Sequence, residues 1–95
     1  MEYSEKLFKK IEEARKEVNL MILSAEKQGI LNFQGLYSLQ KGLDEFSFIV
    51  KNKADLSYSF IENWNNLWRW VPKFFDGDPF LNLLNDISKN VPFKY

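Results

Sequence analysis

The chain has 95 residues, thirteen basic against thirteen acidic side chains, and neither cysteine nor histidine. That length accommodates one helical domain, residues 1–95, and no second. The missing histidine and cysteine remove the commonest general base, the usual zinc ligands and the thiol nucleophile, so a catalytic triad and a disulfide framework are both excluded.

The first element is a helix over roughly Ser4 to Lys27, a long stretch that neither glycine nor proline interrupts. Leu7, Ile11, Ala14, Val18, Met21 or Ile22, and Ala25 recur at steps of three and four and so fall on one side of it. Its outer face carries Glu5, Lys9, Glu12, Glu13, Lys16 and Lys27, with Glu5 to Lys9 and Glu12 to Lys16 in the favourable i, i+4 order. Leu20 and Leu23 break this division: at 100° per residue they point nearly opposite the apolar stripe. Either the later chain wraps over this end or another molecule covers it. Gln28-Gly29 supplies the stop, with glycine free to take the left-handed conformation after the last turn.

Ile30-Leu31-Asn32 is too short for anything but a hairpin connection, and Asn32 suits a helix cap. The second helix presents Leu36, Leu39, Leu43, Phe46 and Val50 at the spacing of the first, so the two are expected to pack as an antiparallel pair. Gly35, Gly42 and Ile49 repeat every seven residues on an adjacent flank. Glycine inside a helix costs ~0.5–1 kcal/mol relative to alanine. Two on one flank therefore suggest a backbone approached closely by something, or else a helix of mediocre propensity held by its packing. If that flank is exposed, a two-fold homodimer burying it is expected.

Lys51-Asn52-Lys53-Ala54-Asp55 forms the next break, with Asn52 as cap and Asp55 near the positive helix end. A third helix then runs to about Val71, with Leu56, Phe60, Trp64, Leu67, Val71 and Phe74 in its core arc. Ile61 and Trp68 fall on one flank, Trp70 on the other, and Tyr58 points away. Val71-Pro72 closes this helix, because a residue before proline avoids the α region. After the turn Lys73–Asp78, Asp78-Pro79 combines a cap with a first-turn proline. It starts a short fourth helix with Phe80, Leu83, Leu84 and Ile87 on one side. Asn90-Val91-Pro92 ends it and leaves Phe93-Lys94-Tyr95 as a tail. No alternating stretch is long enough for a strand. The expected fold is all-α: a small antiparallel bundle of four helices, two long, one medium and one short.

Charge and motif content narrow the function further. Basic and acidic residues balance locally as well as globally, six against six up to Gln28 and seven against seven beyond it. A phosphate backbone is recognised by clustered cations, which are missing here, so nucleic acid is not expected as a partner. No glycine spacing matches a phosphate-cradling loop. In Asp76-Gly77-Asp78 the glycine falls between the first two acids, where a calcium loop places it after the third. A helix cap explains Asp78, and neither a metal nor a cofactor is expected. The longest apolar runs fall far short of the ~20 residues a spanning helix needs. The start, Met1-Glu2-Tyr3-Ser4-Glu5-Lys6, lacks a basic region followed by an apolar run, so no secretory signal is expected. A small domain without cysteine suits a reducing compartment, hence a cytoplasmic location.

One resemblance attaches to Asp44. A helical hairpin with a mixed-charge first helix, glycine near its end and Leu43-Asp44 late in the second helix resembles the small sporulation-regulator phosphatases that dephosphorylate response regulators. Their signature is Ser-Gln-Glu-Leu-Asp, and Gln40-Lys41-Gly42-Leu43-Asp44 matches it in the last two positions. The resemblance covers at most residues 8–50 and implies Asp44 as an acid in such a regulator.

The aromatic content, 17% of residues and concentrated in the second half, points elsewhere. Tyrosine and tryptophan dominate binding hot spots, and a bundle this small has more aromatics than interior. The expected function is that of a small non-catalytic protein-binding module: an inhibitor, an immunity or antitoxin-like factor, or an adaptor. Its partner is another protein, met by Tyr58, Ile61, Trp68 and Phe75, with Leu20 and Leu23 next. A peripheral membrane protein is the alternative, because Trp64, Trp68, Trp70, Phe74 and Phe75 with Arg69 and Lys73 have an interfacial makeup.

Overall fold

The computed structural model describes residues 2–29 and 34–92, and it is all-α. The helices are α1 (Glu5–Lys27), α2 (Gln34–Lys51), α3 (Tyr58–Leu67), a single turn α4 (Val71–Phe74) and α5 (Pro79–Ser88). The expected Asn32 cap and the Phe93–Tyr95 tail lie outside the described residues.

Helix starts follow the chemistry of orphan amides, which need a side-chain acceptor where no preceding carbonyl exists. Ser4 Oγ accepts from the Leu7 amide at 3.1 Å, Ser57 Oγ from the Phe60 amide at 3.1 Å, and Asp78 Oδ1 from the Phe80 amide at 2.9 Å. Gly29 closes α1 at φ +68°, in the left-handed region expected of it.

Two boundaries differ from expectation. Asn52 does not begin α3; its side chain bonds back to the Phe48 carbonyl at 2.8 Å. The Ala54 amide reaches the Ile49 carbonyl and the Lys53 amide the Val50 carbonyl, with Lys53 at φ 52°. This is a Schellman stop with lysine in the place glycine usually takes, and it consumes residues 52–54. The next acceptor in line, Ser57, then caps α3. Nor does Pro72 close α3, which ends at Leu67. Proline has no amide to satisfy, so it fits the first turn of α4 as well as a helix end.

The expected stripe on α1 is the buried one: Leu7, Ile11, Ala14, Val18, Ile22 and Ala25. It packs on α2 and α5, while α2 packs on α3. Bonds between α1 and α2 join Glu12 to Ser47, Arg15 to Asp44, Asn19 to Gln40 and Glu26 to Tyr37. Partners descend along α2 as they climb along α1, so this pair of helices runs in opposite directions. At the centre Phe46, Phe60 and Trp64 form a triangle with centroids 5.1, 5.5 and 5.9 Å apart. Each buried aromatic removes enough apolar surface to contribute ~1.5–3 kcal/mol. The Trp64 indole donates to Ser88 Oγ at 3.1 Å, so its polar end is satisfied inside the bundle.

Candidate partner-binding surface

Leu20 and Leu23 sit one turn apart on α1, on the side opposite the buried stripe, and are 58% and 54% exposed. The later chain therefore does not wrap over them. The polar seam beside them is internally satisfied: Gln40 donates to Asn19 at 2.6 Å and the Tyr37 hydroxyl to Glu26 at 2.8 Å.

Tyr58, in the first turn of α3, is 64% exposed, as its register requires. Trp68 is half-buried and lines an open groove of about 730 Å3 beside α5, facing Asn82, Asn85 and Ser88. The expectation for Ile61 and Phe75 is corrected: both side chains belong to the core. Ile61 faces a flank that single-helix periodicity leaves open. The chain after α5 closes it, where Asn65 Nδ2 bridges the Ile61 and Pro92 carbonyls at 2.7 and 2.9 Å. Phe75 is buried because residues 68–70 form a turn that resets the helical phase. Val71 and Phe75, one turn apart, then both point inward, and Phe75 meets Phe80 edge-on at 5.0 Å. Phe74, expected in the core arc, points outward at 60% exposure for the same reason.

Two further exposed aromatics, Phe48 at 67% and Tyr37 at 40%, were not among the expected contact residues. Phe48 was legible: between core positions Phe46 and Val50 it points off the buried arc by helical geometry alone. Phe74 was not, because its direction depends on where α3 stops. Five aromatics, Phe46, Phe60, Trp64, Phe75 and Phe80, are fully enclosed. The aromatic surplus expected from composition is therefore present on the surface, in Tyr37, Phe48, Tyr58 and Phe74, although Phe75 is not part of it.

The glycine flank of α2 is covered from within. A β-carbon at Gly35 would stand 3.1 Å from Trp70 ring atoms, and one at Gly42 3.1 Å from Leu67 Cδ1. The close approach inferred from these glycines is real, but α3 and the residues following it make it. The basis for a homodimer burying that flank is removed.

Several acids on the surface are engaged. Asp44 accepts from Arg15 Nε at 2.8 Å, and Arg15 also bonds Glu12 at 2.8 Å and the buried Ser47 hydroxyl at 3.1 Å. The hydrogen bond to Asp44, with help from Glu12, raises the guanidinium pKa above its ordinary value and fixes it as a cation. Asp86 is held below the usual carboxylate range, chiefly by its hydrogen bond from Lys10 at 3.2 Å and secondarily by Lys89. Among the described residues no three of His, Cys, Asp and Glu converge to hold a metal ion. Nor is any described helix long and apolar enough to cross a membrane.

No protein-family model, curated protein or solved structure matches the chain.

Proposed function

We propose that this chain is a small, non-catalytic protein-binding module of the cytoplasm, of the inhibitor, immunity, antitoxin-like or adaptor kind. Exposed side chains of α1 and α3 make the contact. The observation that carries the reading is the pair Leu20 and Leu23, two large aliphatic side chains more than half exposed on the outer face of the longest helix. Single exposed leucines are common, whereas two stacked one turn apart make a ridge of the sort that enters a partner's groove. Tyr58 and the half-buried Trp68 supply aromatic contacts of the type that dominates hot spots.

Affinity capture from the encoding organism tests this with three proteins in parallel: the wild type, a Leu20→Glu/Leu23→Glu double variant and a Tyr58→Ala/Trp68→Ala double variant. A protein retained by the wild type and lost by either variant, with helicity unchanged by circular dichroism, is the expected result. A partner retained equally by all three would place the interface elsewhere.

A peripheral membrane reading has one observation in its favour. Phe74 is exposed at the end of α4 and meets Trp70 edge-on, with centroids 5.7 Å apart, and Arg69 and Lys73 in the same segment are exposed. Trp64 and Phe75 are buried and drop out of that reading. Anionic vesicles separate the two: a blue shift of tryptophan emission that a Phe74→Asp substitution abolishes is the membrane outcome.

A further inference from the structure

Between α2 and α3 lies a cavity of about 340 Å3, near the lower end of the ~300–1,000 Å3 typical of small-ligand sites. Gly42 is part of its floor, where Leu67 and Trp64 approach the α2 backbone so closely that a β-carbon would stand 3.1 Å from Leu67 Cδ1. Its apolar wall is made by Trp64, Leu67 and Trp70.

Its rim differs from the polar seam between α1 and α2. On α2 it carries Ser38, Lys41 and Glu45, and on α3 Asn63 and Asn66. Along the α1–α2 seam, polar side chains are bonded to one another across the helices. Among the described residues, none of these five side chains makes a hydrogen bond or ion pair. Lys41 and Glu45 are one helical turn apart and opposite in charge, yet they do not pair. Lysine preceding glutamate is the less favourable order for such a pair. One cation, one anion and two primary amides therefore ring an apolar wall with their hydrogen-bonding capacity unused, and the charges sum to zero.

We infer that this cavity is a binding site for a small zwitterion with an apolar body, a free α-amino acid with an aliphatic or aromatic side chain. The α-carboxylate meets Lys41, the α-ammonium meets Glu45, and the side chain lies chiefly on the half-buried Trp70, with only the edges of the buried Trp64 and Leu67 beside it. Asn63 and Asn66 complete the polar shell, since a primary amide can donate to the carboxylate or accept from the ammonium. Neither a net anion nor a net cation matches a rim with one charge of each sign. This site is separate from the surface proposed for the protein partner, and either stands without the other.

Two of the three tryptophans, Trp64 and Trp70, line the cavity, so intrinsic fluorescence of the full chain reports occupancy directly. L-leucine and L-phenylalanine are the probes, with N-acetyl-L-leucine amide as a control that keeps the side chain and removes both charges. The expected result is a saturable fluorescence change with a free amino acid, confirmed by calorimetry, and binding of the blocked compound weaker by tenfold or more. Glu45→Gln and Lys41→Met are each expected to weaken binding roughly tenfold, the loss of one charge-assisted contact. Because those side chains have no partner among the described residues, both variants keep the ligand-free melting temperature of the wild type. An absence of saturable binding at millimolar concentration overturns the inference. So does equal binding of the blocked compound, or binding unaffected by both substitutions.

Discussion

The indole of Trp70 lies against the bare α-carbon of Gly35, so close that a β-carbon there would stand 3.1 Å from two of its ring atoms. The ring is itself packed against the pair Phe74 and Phe75, with centroids 5.7 and 6.4 Å away. This contact joins the start of α2 to the segment after α3 and explains a glycine that helix propensity alone disfavours. Alanine in an exposed helix interior normally gains up to ~1 kcal/mol over glycine. Gly35→Ala is expected to reverse that sign, because a confined ring cannot retreat and overpacking costs ~1–3 kcal/mol. Urea unfolding is the measurement, with a net loss on the order of 1 kcal/mol expected. A more stable variant would show that the indole moves freely.

Burial separates the six expected contact residues into two energetic groups. Phe75→Ala empties a site enclosed by Val71, Phe74 and Phe80 and is expected to cost ~3–5 kcal/mol. Leu20→Glu and Leu23→Glu lie on the solvent face and are expected to stay within ~0.5 kcal/mol of the wild type. Thermal melts of the three single variants decide this. A large loss for either leucine variant would mean that the α1 outer face is packed.

Lys53 holds φ 52° at the stop of α2, a conformation that costs an L-residue roughly 1–2 kcal/mol relative to its preferred regions. Lys53→Gly relieves it, less the greater chain entropy glycine loses on folding. A gain of ~0.5–1 kcal/mol in denaturant unfolding is expected.

Asp86 gives the acid limb of stability a specific component. Its folded pKa is depressed by Lys10 first and Lys89 second, so the folded state favours the ionised form. Its contribution is therefore fully present above the unfolded pKa and lost as pH falls through the lower folded value. Asp86→Asn is expected to melt below the wild type near neutrality and to converge with it in strong acid. Both partners are substantially exposed, so added salt is expected to shrink the difference. A gap that persists unchanged into strong acid would assign the effect to something other than ionisation.

Local chemistry decided the helices and most of their ends. The three- and four-residue steps from Leu7 to Ala25 require one face of one helix, and that face is the buried one. Asp78 before Pro79 announces α5 because a cap and a first-turn proline satisfy the same orphan amides. The stop at Gly29 and the outward direction of Tyr58, Leu20 and Leu23 follow from geometry that neighbouring residues alone prescribe. Asn52 and Ser57 were equally good caps by residue type, and only the Schellman bonds of α2 chose between them. The phase of Phe74 and Phe75 turned on where α3 gave way, so one residue of difference exchanged surface for core. The covering of Gly35 and Gly42 by Trp70, Trp64 and Leu67, the burial of Ile61, and the gathering of Lys41, Glu45, Asn63 and Asn66 around one recess belong to the tertiary structure. Periodicity states which face of a helix is apolar, but not which other helix arrives at its flank, because that choice is made by shape complementarity between segments distant in the chain.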